Sequence, residues 1–433
     1  MRPADASGFQ ESGAEMKHSV SKKTCIPRRN EMVSIIQQVV GRVSRTEEVP
    51  FDQSLGYVCA EDVLAVNTLP NTPVSRFDGI AVRYADFEGG PPDTSAWTEG
   101  GDYEYANTGI ALPDGYDTVI AIEDVIIGET GIRICELPEY QGEMVNPVGE
   151  HMRQGETLIP AGEMIVPAHI GLFAAGGVNR VRVYSRPRIG IIPTGDELIP
   201  PGCPLPLGKN VESNGYMIAA YMTEWGAQPV NYPIARDEPG ELAQAVRLAL
   251  DENDALVIIA GSSLGTKDFT LDILGEMGEV IVTELAHGPG RKSSLSILEG
   301  KAVLGVAGPP LGAQITCDLY LAPFVSALRG LPHRQMPKLD VISDDAYLPR
   351  RMDFCERAHI YHAEDGYHIR SAFAPKTTRA QMQALSQGNY YRPAGSSCEA
   401  GGRTTVELLC PIEMIPSRDK LLEVLGGVIE PYE

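Results

Sequence analysis

Regular alternation of short apolar runs with helical segments, between residues 187 and 330, is the feature that most constrains how this chain can fold. Four runs have the length and composition of buried strands: 188–192, 228–234, 255–260 and 302–307. Helical segments are predicted near residues 213–225, 238–252, 268–277 and 311–329. Strands that alternate with helices of this length are typical of a mostly parallel, doubly wound α/β sheet.

Three polar or glycine-rich motifs follow predicted strands of this sheet directly. They are residues 194–197 (Thr-Gly-Asp-Glu), 261–265 (Gly-Ser-Ser-Leu-Gly) and 308–310 (Gly-Pro-Pro). Ligands of such sheets bind outside the carboxyl ends of the strands, so we expect the three motifs to share one site. Carboxylates suit Mg²⁺, and small-residue loops bring backbone N–H groups close to phosphate oxygens. Taken singly, each motif has an ordinary alternative as a solvated acidic turn or a common Gly/Ser loop.

The remaining sequence predicts three further structural parts and a tail. An amphipathic helix is expected near 30–45, short apolar runs broken by Gly, Pro and Asp indicate a β insert, and the end of the chain again has β character. We therefore predict a multidomain α/β and β protein with a C-terminal β-barrel-like domain. The predicted limits are a disordered tail 1–24, a discontinuous N-terminal domain 25–69 and 149–184, a β insert 70–148, an α/β domain 185–332 and a C-terminal β domain 333–433.

Composition limits the possible partners and location. The 36 Lys and Arg residues against 58 Asp and Glu residues give a formal net charge of −22, which disfavours nucleic acid or an anionic membrane as the main partner. The eight cysteines are scattered without a Cys-x-x-Cys pair, so neither a disulfide framework nor a zinc module is indicated. We expect a cytoplasmic protein without a membrane span or signal peptide.

A further acidic turn lies far upstream, where Asp78 follows Phe77 and precedes Gly79. Together with the three strand-end motifs, Asp268 and the Asn107-Thr108-Gly109 turn, this segment resembles the molybdopterin molybdenumtransferases, the insertase family that includes the E domain of gephyrin. The resemblance runs in order from about Ile35 to the end of the chain. The C-terminal part adds Arg351, within a segment similar to the family's Arg-x-Asp/Glu-Phe.

The resemblance implies an activity, ligands and roles for individual residues. The family binds adenylylated molybdopterin, inserts molybdate and releases AMP, with Mg²⁺ as cofactor and molybdopterin and molybdate as substrates. Carried over by position, the catalytic residues are Asp78, Glu197 and Asp268, and the metal ligands are Glu197 and Asp78. The residues that bind pterin nucleotide or oxyanion are then Thr108, Thr194, Gly195, Gly261, Ser262, Ser263, Gly265, Arg291, Gly308, Pro310 and Arg351.

The same resemblance implies a homodimer, with a site shared between protomers. It also allows a protein partner, either a molybdoenzyme or the upstream adenylyltransferase. No nucleic-acid or membrane partner is implied.

Four positions depart from the family pattern. Gly288 stands where a lysine is usual, Lys292 replaces a proline, Pro309 replaces an asparagine and His151 replaces an acidic residue. Arg291 occupies the second lysine position. Its planar guanidinium binds a tetrahedral oxyanion through two hydrogen bonds, whereas a lysine ammonium acts as a point charge. We therefore expect pterin binding to be better preserved than molybdate capture.

Three hypotheses remain open at this point. The chain is an insertase with an altered molybdate site, a paralogue that binds molybdopterin or finished cofactor as a carrier or maturation chaperone, or a scaffold that keeps the fold alone. Retention of three acidic positions, Asp78, Glu197 and Asp268, disfavours the scaffold.

Overall fold

The computed structural model describes residues 26–129, 131–260, 269–333, 335–371 and 387–424. The predicted tail 1–24 lies outside these residues.

The predicted doubly wound sheet is confirmed and contains six strands. Its first four strands are parallel, and the last two, which the sequence pattern did not predict, join the sheet through two successive antiparallel pairings. In spatial order they are Gln228–Asn231, Arg188–Pro193, Ala255–Ala260, Lys301–Ala307, Ser294–Leu298 and Gly278–Val282. Helices cover both faces: Asn214–Glu224, Pro239–Glu252, Phe269–Met277, and a continuous helical stretch made of Pro310–Thr316, the π-helical Cys317–Leu321 and Ala322–Leu328.

Alternate residues along the central strands pack into two separate cores. Val257 and Ile259 face a core completed by the helices 214–224 and 310–328, whereas Leu256 and Ile258 face the helices 239–252 and 269–277. This alternation follows from the two-residue period of a strand and produces the doubly wound arrangement. The stretch Pro310–Leu328 is long and apolar enough to cross a membrane, but 83% of its apolar window is buried, as in a core helix.

The N-terminal segments pair with residues far downstream. Strand Thr46–Pro50 runs antiparallel to Arg180–Tyr184, which also pairs with Val58–Cys59. Further elements of this part are Phe51–Gln53, Val63–Leu64, Thr157–Ile159 and helix Pro167–Ala175.

The predicted helix near 30–45 spans Arg29–Val39 and packs elsewhere. Met32 and Ile36 are fully buried in the α/β core beside the helix 322–328. This first helix, which we assigned with residues 25–69 to the N-terminal domain, therefore has its buried face in the α/β core.

The insert is built from short antiparallel pairs. Its strands are Val74–Ser75, Gly79–Val82, Glu104–Ala106, Thr118–Ala121, Val125–Ile127, Ile132–Ile134 and Val145–Asn146, with short helical turns at Tyr84–Phe87 and Ile122–Asp124. Strand 79–82 lies between 104–106 and 118–121. A Cβ atom on Gly79 would lie 2.0 Å from the Ile120 carbonyl oxygen, so the residue after Asp78 must be glycine.

The C-terminal part forms a closed five-stranded barrel. Its strands are Lys338–Ser343, Asp353–Ala363, Gly366–Ser371, Gly388–Arg392 and Arg403–Leu408. Closure comes from pairing of 388–392 with both 353–363 and 403–408. A short turn, Ile412–Met414, and helix Arg418–Val424 follow.

A two-residue strand attaches the barrel to the α/β domain. His287–Gly288 pairs in parallel with Asp353–Phe354. Around it the junction is dry: the His287 Nε2 atom lies 2.5 Å from the Tyr320 hydroxyl, and burial lowers the pKa of His287 to about 4. Nearby, a fully enclosed ion pair joins Arg357 of the barrel to Asp318 at 2.5 Å. The junction thus holds the barrel in one position against the α/β domain.

Candidate functional site

The central parallel strands end together at one edge of the α/β sheet. Pro193 is in register with Ile259, and Ala260 is in register with Ala307. Thr194 and Gly308 therefore leave the sheet at the same edge. The motif that follows Ala260, with Gly261, Ser262, Ser263, Gly265 and Asp268, lies outside the described residues.

The first strand-end motif forms a tight turn that presents a carboxylate. Thr194 is buried and donates from its backbone N–H and its hydroxyl to the Ile259 carbonyl, at 2.9 and 3.0 Å. Gly195 has φ of +145°, and a Cβ atom there would lie 2.7 Å from the Glu197 carboxylate. The backbone angle thus favours glycine at this position, and the Glu197 carboxylate, which is half-buried, lies close to it. The exposed Asp196 is a second carboxylate of the same turn.

The turn at residues 308–310 is bound to a residue that the sequence pattern did not single out. The Asn214 side-chain amide donates to the Gly308 carbonyl oxygen at 2.7 Å. Pro310 begins the long helical stretch, and Pro309 precedes it with neither an N–H nor an amide side chain. Asn214 opens helix 214–224 after Ser213, which is an N-cap signal in the sequence. That signal could have directed attention to Asn214.

The loop that carries Arg291 packs against the start of the same long helix. Gly290 has φ of +91°, and a Cβ atom on Gly312 would lie 3.2 Å from the Gly290 nitrogen. The Arg291 guanidinium donates twice to Glu284, at 3.1 and 3.0 Å, and this pairing raises its pKa. Lys292 lies 3.9 Å from the same carboxylate. Both cations of this loop therefore share one internal counter-charge.

Arg351 lies two residues before the barrel strand that pairs with this loop. Gly288 pairs with Phe354, and a Cβ atom on Gly288 would lie 3.9 Å from the Met352 sulfur. Gly288 thus leaves open space where a longer side chain would reach the barrel. Arg351 itself is exposed.

Asp78 lies in the insert, with its carboxylate held by Thr108. The Thr108 backbone N–H and hydroxyl donate to Asp78 Oδ1 at 2.8 and 3.0 Å, and these hydrogen bonds lower the pKa of Asp78. Asp78 is exposed, and so are the neighbouring Phe77 and Ile110. The carboxylate is therefore ionised, fixed in orientation and open on its other oxygen.

Within one chain, Asp78 is not joined to the described part of the sheet edge by a hydrogen bond or an ion pair. Among the described residues, no hydrogen bond or ion pair links the insert, residues 70–148, to residues 187–330. The described residues also contain no cluster of three or more metal-ligating side chains. His151 is exposed and bonds through its backbone to Leu69. The sheet edge, the 288–291 loop and the barrel form one group, and Asp78 forms another.

The oxygen donors present are of the kind that Mg²⁺ prefers. Asp78 keeps one oxygen outside its contacts with Thr108, and Glu197 and Asp196 add carboxylates at the strand ends. Mg²⁺ is usually held by one or two carboxylates plus substrate phosphates and water rather than by a complete protein cage. The donor set therefore fits Mg²⁺, provided that a phosphate-bearing substrate completes it.

Comparison with protein families gives two matches. Residues 28–177 match the MoeA N-terminal region (domain I and II), and residues 190–327 match a probable molybdopterin binding domain.

Similar curated proteins include two bacterial enzymes named molybdopterin molybdenumtransferase. The one from Haemophilus influenzae is 26% identical over 307 residues, covering 68% of this chain and 76% of that protein. The one from Staphylococcus epidermidis is 28% identical over 329 residues, covering 72% and 78%.

Among solved structures, two molybdopterin biosynthesis MoeA proteins from Pyrococcus horikoshii align over 89% of this chain and all of theirs. Their TM-scores are 0.72 and 0.69, at 25% and 20% identity. The family matches, the curated relatives and the architecture agree. The chain belongs to the MoeA-type molybdopterin molybdenumtransferase family.

Proposed function

We propose that this protein is a molybdenum insertase that binds adenylylated molybdopterin at the carboxyl edge of the α/β sheet, inserts molybdate and releases AMP. The observation that carries the proposal is the convergence of three features at one edge: the 194–197 turn, the 308–310 turn and the 288–291 loop. Relatives that share these domains are named for the same transfer reaction. A cytoplasmic location is part of the proposal.

The carboxylates act on the pyrophosphate end of the substrate. Mg²⁺, when bound, would supply neutralisation of negative charge for cleavage of the pyrophosphate bond. Glu197 and Asp78 would hold it, and the low pKa of Asp78 keeps that carboxylate ionised at neutral pH. Thr194 anchors the start of this turn through its two hydrogen bonds to the Ile259 carbonyl, and Gly195 allows the turn that brings the Glu197 carboxylate to this edge.

Substrate binding at the same edge would rest largely on backbone groups. Asn214 holds the Gly308 carbonyl oxygen, which fixes the turn before Pro310. We assign pterin and phosphate contacts to this turn, to Thr108 and to the 261–268 loop. Such contacts depend on small residues more than on side-chain charge.

Oxyanion capture falls to Arg291 and Arg351, and we propose that it is weak. Arg291 is already paired with Glu284, so a molybdate ion must share or displace this carboxylate. Gly288 contributes no charge. Loss of one charge-assisted contact costs about 1.5–3 kcal/mol, which corresponds to roughly ten- to a hundredfold in affinity.

A homodimer with a shared site accounts for Asp78. Its carboxylate is held in place by Thr108, faces solvent and has exposed apolar neighbours in Phe77 and Ile110. A carboxylate fixed in this way, and joined to its own sheet edge by no hydrogen bond or ion pair between described residues, suits the site of a partner protomer. The proposal therefore assigns Asp78 to the site built on the other chain's Glu197.

A second candidate is a carrier that binds molybdopterin or finished cofactor without inserting metal. The internal Arg291–Glu284 pair favours it, because this pairing satisfies the cation without an oxyanion.

Reconstitution with purified adenylylated molybdopterin, Mg²⁺ and a series of molybdate concentrations tests both candidates. An insertase releases AMP and forms cofactor, with half-maximal molybdate well above the micromolar range. The Glu197→Gln variant should lose at least about a hundredfold in rate, since a metal ligand contributes several kcal/mol. Glu224→Gln, an exposed change on helix 214–224, should behave as wild type.

The alternative outcomes are distinct. Calorimetric binding of the pterin nucleotide without AMP release at any molybdate concentration indicates the carrier. Absence of pterin binding by the folded protein refutes both candidates and leaves a scaffold. Efficient insertion at micromolar molybdate refutes the weak oxyanion site while keeping the insertase.

A further inference from the structure

A cavity of about 620 Å³ opens at one end of the C-terminal barrel, away from the strand-end site. Its described lining comes from the loop before strand 353–363 and from three barrel strands: Asp345, Ala346, Tyr347, Leu348, Pro349, Arg350, Phe354, Glu356, Ser371 and Arg392. Cavities of this volume are in the range that holds small-molecule ligands, and barrel mouths are a common place for them.

The two faces of strand Asp353–Ala363 separate this cavity from the α/β junction. Phe354 and Glu356 line the cavity, and the next residue on that face, Ala358, belongs to the barrel core. Cys355 and Arg357, on the opposite face, pack into the α/β core and against Asp318. Successive residues of a strand point to opposite sides, so a ligand in the barrel mouth does not occupy the junction.

Both carboxylates in the cavity wall have hydrogen-bond partners in the same wall. Glu356 pairs with Arg392 at 3.0 Å, both side chains being nearly inaccessible at 7% and 6% exposure, and it also accepts a hydrogen bond from the Ser371 hydroxyl. Asp345 accepts from the Ser371 backbone N–H at 3.0 Å. The two carboxylates of the wall therefore have partners within the wall.

The unmet hydrogen-bonding capacity of the wall belongs to donors. In the described part of the chain, the Arg392 Nε atom and the Tyr347 hydroxyl are buried without a hydrogen-bond partner. Burial raises the pKa of Tyr347, which keeps its hydroxyl protonated. At the rim, the Arg350 guanidinium stacks over the Phe354 ring at 4.0 Å and forms no ion pair with a described residue. These groups are donors that suit a hydrogen-bond acceptor on a bound ligand.

The rest of the wall is apolar and partly open to solvent. Leu348 is 79% exposed at the rim, and Pro349 and the Phe354 ring continue this surface inward. An inorganic oxyanion would leave these apolar side chains exposed to water, whereas a ligand with an apolar part would cover them.

We propose that the barrel mouth binds a small organic carboxylate. Its anionic group contacts the Arg350 guanidinium and lies toward Arg392, and its apolar body packs against Phe354 and Leu348. Arg–carboxylate pairing is planar and charge-assisted, which matches a guanidinium already stacked on a ring. The site is separate from the proposed insertase site. A test of ligand binding in the barrel mouth is therefore independent of whether the protein inserts molybdate.

Calorimetry on the full-length protein tests the proposal with benzoate as the probe. Benzamide is the neutral comparison of the same shape, and phosphate and molybdate are anions without an apolar body. We expect saturable 1:1 binding of benzoate that is at least about tenfold tighter than that of benzamide, phosphate or molybdate, since a charge-assisted contact and the apolar contacts are both needed.

Exposed rim positions supply variants that leave the fold intact. Arg350→Met should weaken benzoate binding about tenfold or more, and Leu348→Glu should do the same through charge repulsion. Arg403→Met, an exposed arginine on another barrel strand, is the matched control and should bind as wild type, with circular dichroism confirming the fold of each variant.

Several results would overturn the proposal. They are absence of saturable benzoate binding, equal binding of benzamide, phosphate or molybdate, equal binding by Arg350→Met, or an equal loss in Arg403→Met.

Discussion

Two carboxylates illustrate how differently the junction and the insert of this protein fix their functional groups. Asp318, at the α/β–barrel junction, is 4% exposed and is held by Arg357 at 2.5 Å and by the Asn389 amide at 3.1 Å. Burial raises its pKa, and Arg357 partly offsets this effect. Asp78, in the insert, is exposed, and hydrogen bonds from Thr108 lower its pKa.

The contrast shows which parts of the site a single chain completes. At the junction, packing and buried ion pairs set the position of the 287–291 loop relative to the barrel. In the insert, the carboxylate is oriented locally but its distance from Glu197 is set by no described contact. Under the proposed function, a second protomer supplies that remaining constraint.

The largest expected effect tests the junction side. Arg357→Met leaves Asp318 buried without its cation, which should lower the free energy of unfolding by about 3–5 kcal/mol. The double variant Asp318→Leu with Arg357→Met should recover much of this loss, because it removes both buried charges. Urea unfolding followed by circular dichroism measures both.

The matched control is the exposed pair of Arg180 with Glu48, 3.6 Å apart. Arg180→Met should cost less than about 1 kcal/mol. Equal losses for Arg357→Met and Arg180→Met would remove the distinction between a rigid junction and an ordinary surface.

The second prediction tests the insert side by subunit mixing. Asp78→Asn and Glu197→Gln homodimers should each be nearly inactive. If each site combines Glu197 of one chain with Asp78 of the other, co-expression should restore about a quarter of wild-type AMP release, since half of the dimers keep one intact site.

Co-expression of Thr194→Val with Glu197→Gln is the control, because both changes lie at the sheet edge and leave no intact site in a mixed dimer. Activity as low in the Asp78→Asn mixture as in this control would place Asp78 and Glu197 in the same chain's site, or exclude Asp78 from it.

A smaller effect concerns the internal competitor of the oxyanion. Glu284→Gln removes the charge that Arg291 now pairs with. The molybdate concentration for half-maximal cofactor formation should fall about two- to fivefold, the size expected for a partly exposed ion pair. Glu276→Gln, exposed on helix 269–277, should leave it unchanged. An unaltered molybdate requirement in Glu284→Gln would show that Arg291 takes no part in capture.

The smallest effect compares two histidines in opposite settings. Burial alone would lower the pKa of His368, but hydrogen bonds to Asp344 and Asp365 raise it, whereas burial lowers that of His287. A raised pKa contributes stability below the unfolded value of about 6.5, and this stability is lost as pH rises through the folded value. Wild type should exceed His368→Gln in unfolding free energy by more at about pH 5.5 than at about pH 8.5, the change being under about 1 kcal/mol.

Chemical denaturation at the two pH values measures this difference. A larger stabilisation at the higher pH would contradict the assigned direction.

The parts of the fold that sequence predicted are those where one pattern dominates. The parallel strands 188–192, 255–260 and 302–307 are runs in which apolar residues predominate, and each is found within a residue of its predicted limits. The antiparallel strand Ser294–Leu298 escaped prediction, because buried serines at 294 and 296 interrupt its apolar character.

Other features depend on contacts that local sequence does not contain. Helix Arg29–Val39 has a clear amphipathic period, but the period does not tell which core it enters. The Glu284 carboxylate faces Arg291 only because the chain turns back between them. Asn214 follows an N-cap signal at Ser213, yet its bond to Gly308 spans 94 positions in the chain.

The two-residue pairing of His287–Gly288 with Asp353–Phe354 means that the chain cannot be divided at the link near residue 332. A protein truncated there would expose Tyr320, Asp318 and the edge of the 287–288 strand, which are all covered by the barrel in the intact chain. An isolated barrel would in turn present Arg357 and Cys355 to water. The α/β domain and the barrel therefore form one structural unit.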